Sequence, residues 1–244
     1  MRNLRLDICY DGTRYRGFQR LPNTENTIQG KLERTLSRIL DEEIQISGSG
    51  RTDAGVHALG QVVNFHCSSH MPCEQILTEL RRYLPEDIGV YLLKDVSPRF
   101  HARLNAKEKM YRYRIWNSLD PCVFERRFVT VLPEELDIEA MKKAAGLLEG
   151  THDYSAFCNN KHFKKSTVRA VRSIQIIQRG NELQFLVTGN GFLHGMVRIL
   201  VGTLVEVGQG KRSAESVELL FGSSRAEAGM LMPPEGLCLM EVIY

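Results

Sequence analysis

The sequence predicts an α+β fold of mainly antiparallel sheet in two matched halves, with helices covering one face of each sheet. Three observations predict it. Short runs alternate apolar and polar residues, as half-buried strands do. Between them lie stripes of apolar residues at helical spacing. One order of these runs, β-α-β-β-α-β, occurs twice along the 244 residues.

In the first half, Leu4, Leu6, Ile8 and Tyr10 alternate with polar residues and predict a strand closed by an Asp11-Gly12 turn. Asn26 serves as N-cap with Gln29 three residues on, opening a helix with Ile28, Leu32, Leu36, Ile39 and Leu40 on one face. Residues 44–47 form a short strand and residues 61–67 the next. Ile76, Leu77, Leu80 and Leu84 mark a second helix, and residues 88–96 a fourth strand. The second half repeats the order without repeating the sequence. Residues 109–117 form a strand, and Ile138, Met141, Ala145 and Leu148 stripe a helix ended by Gly150. Residues 171–178 and 182–189 pair as a hairpin across Arg179-Gly180-Asn181. Met196, Ile199, Leu200, Thr203 and Leu204 mark a helix stopped at Gly208. A shorter helix near 214–221 is an addition, and residues 237–243 close the sheet. Each half has the split βαβ order, so we expect two ferredoxin-like (βαββαβ, RRM-like) halves joined around a central active-site cleft, helices on the outer faces. The first half is expected over 1–104 and the second over 105–244.

Composition narrows the class. Hydrophobic content of 43% and charged content of 25% are ordinary for a globular chain, and the net charge of +3 is mildly basic. The local distribution says more. Arg14, Arg16 and Arg20 cluster early; Lys107, Lys109, Arg112 and Arg114 interleave with Tyr111 and Tyr113; Lys161, Lys164, Lys165, Arg169 and Arg172 follow. Cations meet phosphate and rings stack on bases, so such runs suit a nucleic-acid groove. The six cysteines contain no C-x-x-C. With no leader after Met1 and no long apolar run, reduced thiols and a cytoplasmic, non-membrane protein are expected. His66, Cys67, His70 and Cys73 lack the paired spacing of a structural zinc site, so no metal is expected.

The densest chemistry lies in one stretch, Gly48-Ser49-Gly50-Arg51-Thr52-Asp53-Ala54-Gly55-Val56-His57-Ala58. Three glycines allow close backbone approach, and between them stand a carboxylate, a guanidinium and an imidazole. It is no dinucleotide fingerprint, because the third glycine position holds Asp53. Nor is it a phosphate-binding P-loop, because Val56-His57 stands where Lys-Ser/Thr is needed. A loop that only turned would not need this set, and catalytic groups concentrate on such loops.

This stretch, followed by Gly60-Gln61-Val62-Val63-Asn64-Phe65, closely resembles the active-site motif of the tRNA pseudouridine synthase A family. The likeness covers nearly the whole chain. It takes in Tyr10-Asp11-Gly12-Thr13, Gly17-Phe18-Gln19, Thr27-Ile28-Gln29 and Phe100-His101-Ala102-Arg103. It continues through Tyr111-Arg112-Tyr113, Met196-Val197-Arg198 and Pro233-Pro234-Glu235-Gly236-Leu237. Departures from the usual pattern fall at Phe18, Gly195, Ile199 and Cys238. The resemblance implies a homodimer that isomerises uridines 38, 39 and 40 in the anticodon arm of tRNA, without metal or cofactor. It implies that Asp53 is the essential aspartate, that Arg51 helps displace the base, that Arg198 supports the aspartate and that Tyr111 is the active-site tyrosine.

The chemistry fits those residue types. Pseudouridine formation breaks the bond from ribose C1′ to uracil N1 and rejoins the base through C5. A carboxylate serves as nucleophile at C1′ or C6, or as base toward a ribose proton. Asp53 beside guanidinium groups is expected as the anion. Arg51 could fill the gap left by a flipped nucleotide. Tyr111 and Tyr113 share one strand face, one for stacking and one for packing. Arg51, Arg14, Arg20, His57, Lys107 and Arg112 are the candidate RNA-binding residues, His57 being expected mainly to stabilise the loop. The rival readings are a non-catalytic RNA-binding protein, a synthase acting on other RNA sites, and a nucleoside hydrolase.

Overall fold

Leu4, Leu6 and Ile8 are fully buried while Arg5, Asp7 and Cys9 between and after them are not, and this period-2 contrast sets the first strand into its core. Burying each such side chain contributes about 1.5–3 kcal/mol. The computed structural model describes residues 1–160 and 165–244, so Lys161 and Lys164 of the third basic cluster lie outside the described residues. The chain is α+β with mostly antiparallel strand pairing. It divides into two compact units, Met1–Lys107 with Leu239–Tyr244, and Glu108–Cys238.

The first unit runs β1 (Arg2–Tyr10), α1 (Ile28–Leu40), β2 (Ile46–Gly48), β3 (His57–Cys67), α2 (Cys73–Tyr83) and β4 (Ile88–Val96). β1 is central, antiparallel to β3 on one side and β4 on the other, and β2 pairs antiparallel with β3. The helices α1 and α2 touch, and both bury their apolar stripes, Ile28, Leu32 and Leu36 from α1, Ile76 and Leu80 from α2. The N-cap of α1 is Thr27 rather than Asn26: its Oγ1 accepts from the Gly30 N–H at 3.2 Å. Asn26 instead donates to the Arg14 carbonyl, and Gln29 accepts from the Arg20 N–H at 3.0 Å. Both side chains of the expected capping box are thus spent on tying the segment before the helix.

The second unit runs β5 (Glu108–Trp116), β6 (Thr130–Val131), α3 (Ile138–Leu147), β7 (Gly150–Asp153), β8 (Val168–Arg179), β9 (Glu182–Gly189) and α4 (Met196–Gly208). Its strands lie in the order β5-β9-β8-β7, all antiparallel, with β6 added parallel to β5. α3 and α4 pack together, and α4 is buried along nearly its whole length. Two features differ from expectation. Gly150 opens β7 instead of merely ending α3, and residues near 214–221 form a 3-10 segment, Glu215–Leu220. The last strand, β10 (Leu237–Ile243), has the expected bounds but sits beside β3, and Leu239–Tyr244 group with the first unit rather than the second half. The reason is local: Lys107 N–H donates to the Ile243 carbonyl at 2.8 Å, and Tyr244 donates to the Ala102 carbonyl at 2.8 Å.

Candidate active site

The glycine-bounded loop begins where β2 ends. Gly48 still pairs with Val63, and Ser49 N–H reaches the Val62 carbonyl at 2.8 Å before the chain leaves the sheet. Asp53 is the first residue of a four-residue turn closed by Val56 N–H to its carbonyl at 3.2 Å. Gly55 supplies the positive φ, +79°, that the third position of such a turn requires. Asp53 is half-buried, while Arg51 and Ala54 beside it are exposed.

A buried polar set braces the loop from below. Gln61 on β3 is fully buried; its Oε1 accepts from Ser49 Oγ at 2.5 Å and its Nε2 donates to the Gly50 carbonyl at 3.0 Å. Tyr10 on β1 shares a hydroxyl hydrogen bond of 2.8 Å with Thr52. Phe18 N–H donates to the Thr52 carbonyl at 3.0 Å, and the Phe18 ring is buried. The 12–18 segment lies directly on the loop. A Cβ on Gly12 would come within 2.0 Å of the Val56 carbonyl oxygen, so only glycine lets these two backbones meet. Positions 51 and 53 are therefore held on a fixed frame rather than on a slack connection. Among these braces Gln61, Tyr10 and Ser49 carried no functional assignment from sequence. For Gln61 the available signal was a polar residue within a largely apolar strand; Tyr10 and Ser49 offered none.

His57 sits 3% exposed at the start of β3. Its Nδ1 accepts from the Gly12 N–H at 3.0 Å, with Asp11 Oδ1 3.2 Å away. An Nδ1 that accepts places the proton of a neutral ring on Nε2. The ring thus holds the protein's own turn, the loop-stabilising part expected of it. Arg14 is exposed and paired with Asp87, Nη2 to Oδ2 at 2.6 Å, and Arg20 lies 3.3 Å from the buried Glu33 carboxyl. Lys107 is exposed.

In the second unit three motif segments converge. Tyr111 and Tyr113 on β5 face the same way and are buried, at 8% and 0% exposure. Tyr111 meets Phe192 edge to face, centroids 5.2 Å apart. Tyr113 shares a 2.6 Å hydrogen bond with Thr130 and donates to the Pro233 carbonyl at 2.8 Å. Burial pushes its phenol well above the usual range, so it stays neutral and structural. Arg198, on α4, is 9% exposed, and its Nε donates to the Met232 carbonyl at 2.6 Å. Arg112 points to the other face of β5 and is half-buried, its Nε without a hydrogen-bond partner among the described residues. Among the described residues no group of three or more His, Cys, Asp or Glu is placed to hold a metal ion. No helix there is long and apolar enough to cross a membrane.

Comparison with known proteins identifies the family. The family model described as tRNA pseudouridine synthase matches residues 8–105 and 144–244. The chain belongs to the tRNA pseudouridine synthase family, which is a family of isomerases. It is 44% identical over 245 residues to tRNA pseudouridine synthase A 2 of Bacillus cereus (strain ZK / E33L), covering 100% of both chains. It is 44% identical, again over 100% of both, to tRNA pseudouridine synthase A of Brevibacillus brevis. With the protein of that name from Bacillus sp. (strain KSM-64) it shares 47% over 94% of each chain. A solved Cbf5-Nop10-Gar1 complex aligns with 97% of this chain and 48% of its own, at a TM-score of 0.39 and 13% identity.

Proposed function

We infer that this protein converts uridine to pseudouridine in the anticodon stem-loop of tRNA, at positions 38, 39 and 40, with Asp53 as the essential carboxylate. The observation that carries the reading is the braced loop presenting Asp53 in a chain whose relatives, named tRNA pseudouridine synthase A, match it end to end. The reaction conserves atoms. The C1′–N1 bond breaks, the uracil turns, a C1′–C5 bond forms, C5 gives up its proton to solvent, and N1, which carried none while bonded to C1′, takes one up. Asp53 acts as nucleophile at C1′ or C6, or as base toward the ribose. Arg51, exposed beside it, stacks into the space of the everted nucleotide, which recovers part of the few kcal/mol that extrusion costs. Tyr111 and Arg198 from the second unit serve the same reaction, Tyr111 at the base and Arg198 in support of the carboxylate.

The accompanying proposals are two ferredoxin-like halves about a central cleft, the first carrying the loop and the second Tyr111 and Arg198. A homodimer in the cytoplasm, tRNA as partner, and no cofactor complete them. The test is to incubate the protein with an unmodified tRNA transcript and map pseudouridine by mass spectrometry. Conversion at 38, 39 or 40 is the expected result. Conversion only elsewhere assigns other RNA sites. Tight binding with no conversion makes this an RNA-binding protein, and release of free uracil makes it a hydrolase.

A further inference from the structure

The outer face of α1 carries a second cationic feature that the chemistry above does not use. Lys31, Arg34 and Arg38 recur three and four residues apart and so share one side of the helix, strung over about 10 Å of its axis. With Arg14 they line an open groove of about 590 Å³ against the connection from α2 to β4, where Tyr83 and Asp87 form the far wall. Four cations face one lining carboxylate, and that carboxylate, Asp87, is already engaged by Arg14 and by the Tyr15 hydroxyl. Arg34 pairs with Glu25 at 2.5 Å.

Lys31 and Arg38 have no ion-pair partner among the described residues. Arg38 is held instead by a ring: its guanidinium lies 4.9 Å from the centroid of Tyr83, itself 42% exposed, with the Arg82 guanidinium 5.4 Å away. A guanidinium positioned by an aromatic face keeps its full charge for a ligand, whereas one positioned by a carboxylate does not. The cations are spread along the groove rather than converging on a point, which suits consecutive backbone phosphates better than one small anion. The groove also adjoins the catalytic loop through a single segment. Arg14 and Tyr15 line it, and the Tyr15 carbonyl accepts from the Gly55 N–H at 3.4 Å.

We propose that this groove binds the sugar-phosphate backbone of the RNA substrate, through Lys31 and Arg38, away from the nucleotide at Asp53. The proposal rests on the RNA-modifying reading and extends it to a second contact. The test is equilibrium binding of an unmodified tRNA transcript over a salt series, for the wild type and for Lys31→Gln with Arg38→Gln. A second pair, Lys142→Gln with Lys211→Gln on exposed positions of the second unit, removes the same charge elsewhere. Circular dichroism verifies that each variant is folded. The groove pair is expected to weaken binding at least tenfold at low salt and to lower the slope of log affinity against log salt by about 1–2. Unchanged affinity and slope, or an equal loss in the control pair, overturns the proposal. Because binding is the readout, failure here leaves the isomerase assignment standing, and a failed isomerase assay leaves this test intact.

Discussion

At the scale of single residues, His57 is a titratable group beside the Asp53 loop whose observed contact is with the protein's own backbone. Its Nδ1 is the acceptor for a buried Gly12 N–H, so His57→Ala leaves that donor unsatisfied. The expected cost is about 1–3 kcal/mol of stability, with kcat reduced through the loosened loop and tRNA affinity retained. Urea unfolding and filter binding check it together. Full stability with weakened binding would return His57 to the RNA. Arg198 is a harder case because it is both candidate and strut. Arg198→Ala loses the Nε contact to Met232 and is expected to cost about 1–3 kcal/mol as well as activity. Arg198→Lys keeps a charge without the planar fork, so it should restore part of the stability but little turnover. Equal recovery of both by Lys would make Arg198 a packing residue alone.

At the scale of elements, β5 and β9 are locked by a cross-strand pair. Arg114 meets Glu182 through two hydrogen bonds of 2.7 Å, and both side chains are only 13% exposed. The guanidinium holds the Glu182 carboxyl below the usual glutamate range, partly opposed by burial. A carboxyl whose folded value is depressed stabilises the fold above its unfolded value of about 4.3 and loses that contribution as pH falls through the folded value. Glu182→Gln should therefore cost about 1–3 kcal/mol at neutral pH, and the gap to wild type should close in acid. A gap independent of pH in urea titrations would contradict the pairing.

Elements with strong periodicity were legible in sequence: α4 and β10 have the expected bounds, as does β4. The start of α1 moved by one residue because Asn26 and Thr27 are both good caps, and only tertiary contacts decide between them. β6 and β7 span two and four residues, too short for a pattern, and exist because β5 and β8 offer backbone partners. The glycine-bounded loop stood out because its candidate chemistry is contiguous. Its braces did not, since Tyr10 lies 42 residues from Thr52 and 51 from Gln61.

At the scale of the molecule, the chain's last residues return to its first unit, which sequence order alone does not reveal. Tyr244 lies beneath the Arg5 guanidinium at 4.8 Å and against Phe100 at 5.1 Å, and Leu239 and Val242 are buried. Removing Leu239–Tyr244 strips that apolar contribution, about 1.5–3 kcal/mol for each of the two buried side chains. A fall in melting temperature of about 10 °C or more is expected, with loss of activity although the Asp53 loop is untouched. An unchanged melting curve would mean that the first unit does not depend on this strand.

Asp53 is the group proposed to act on the target nucleotide. Tritium release from tRNA labelled at uridine C5 measures that directly, because isomerisation must expel the C5 hydrogen. Wild-type protein should release tritium catalytically, while Asp53→Asn should bind the same tRNA with similar affinity and release none. Release by Asp53→Asn at the wild-type rate would contradict the assignment.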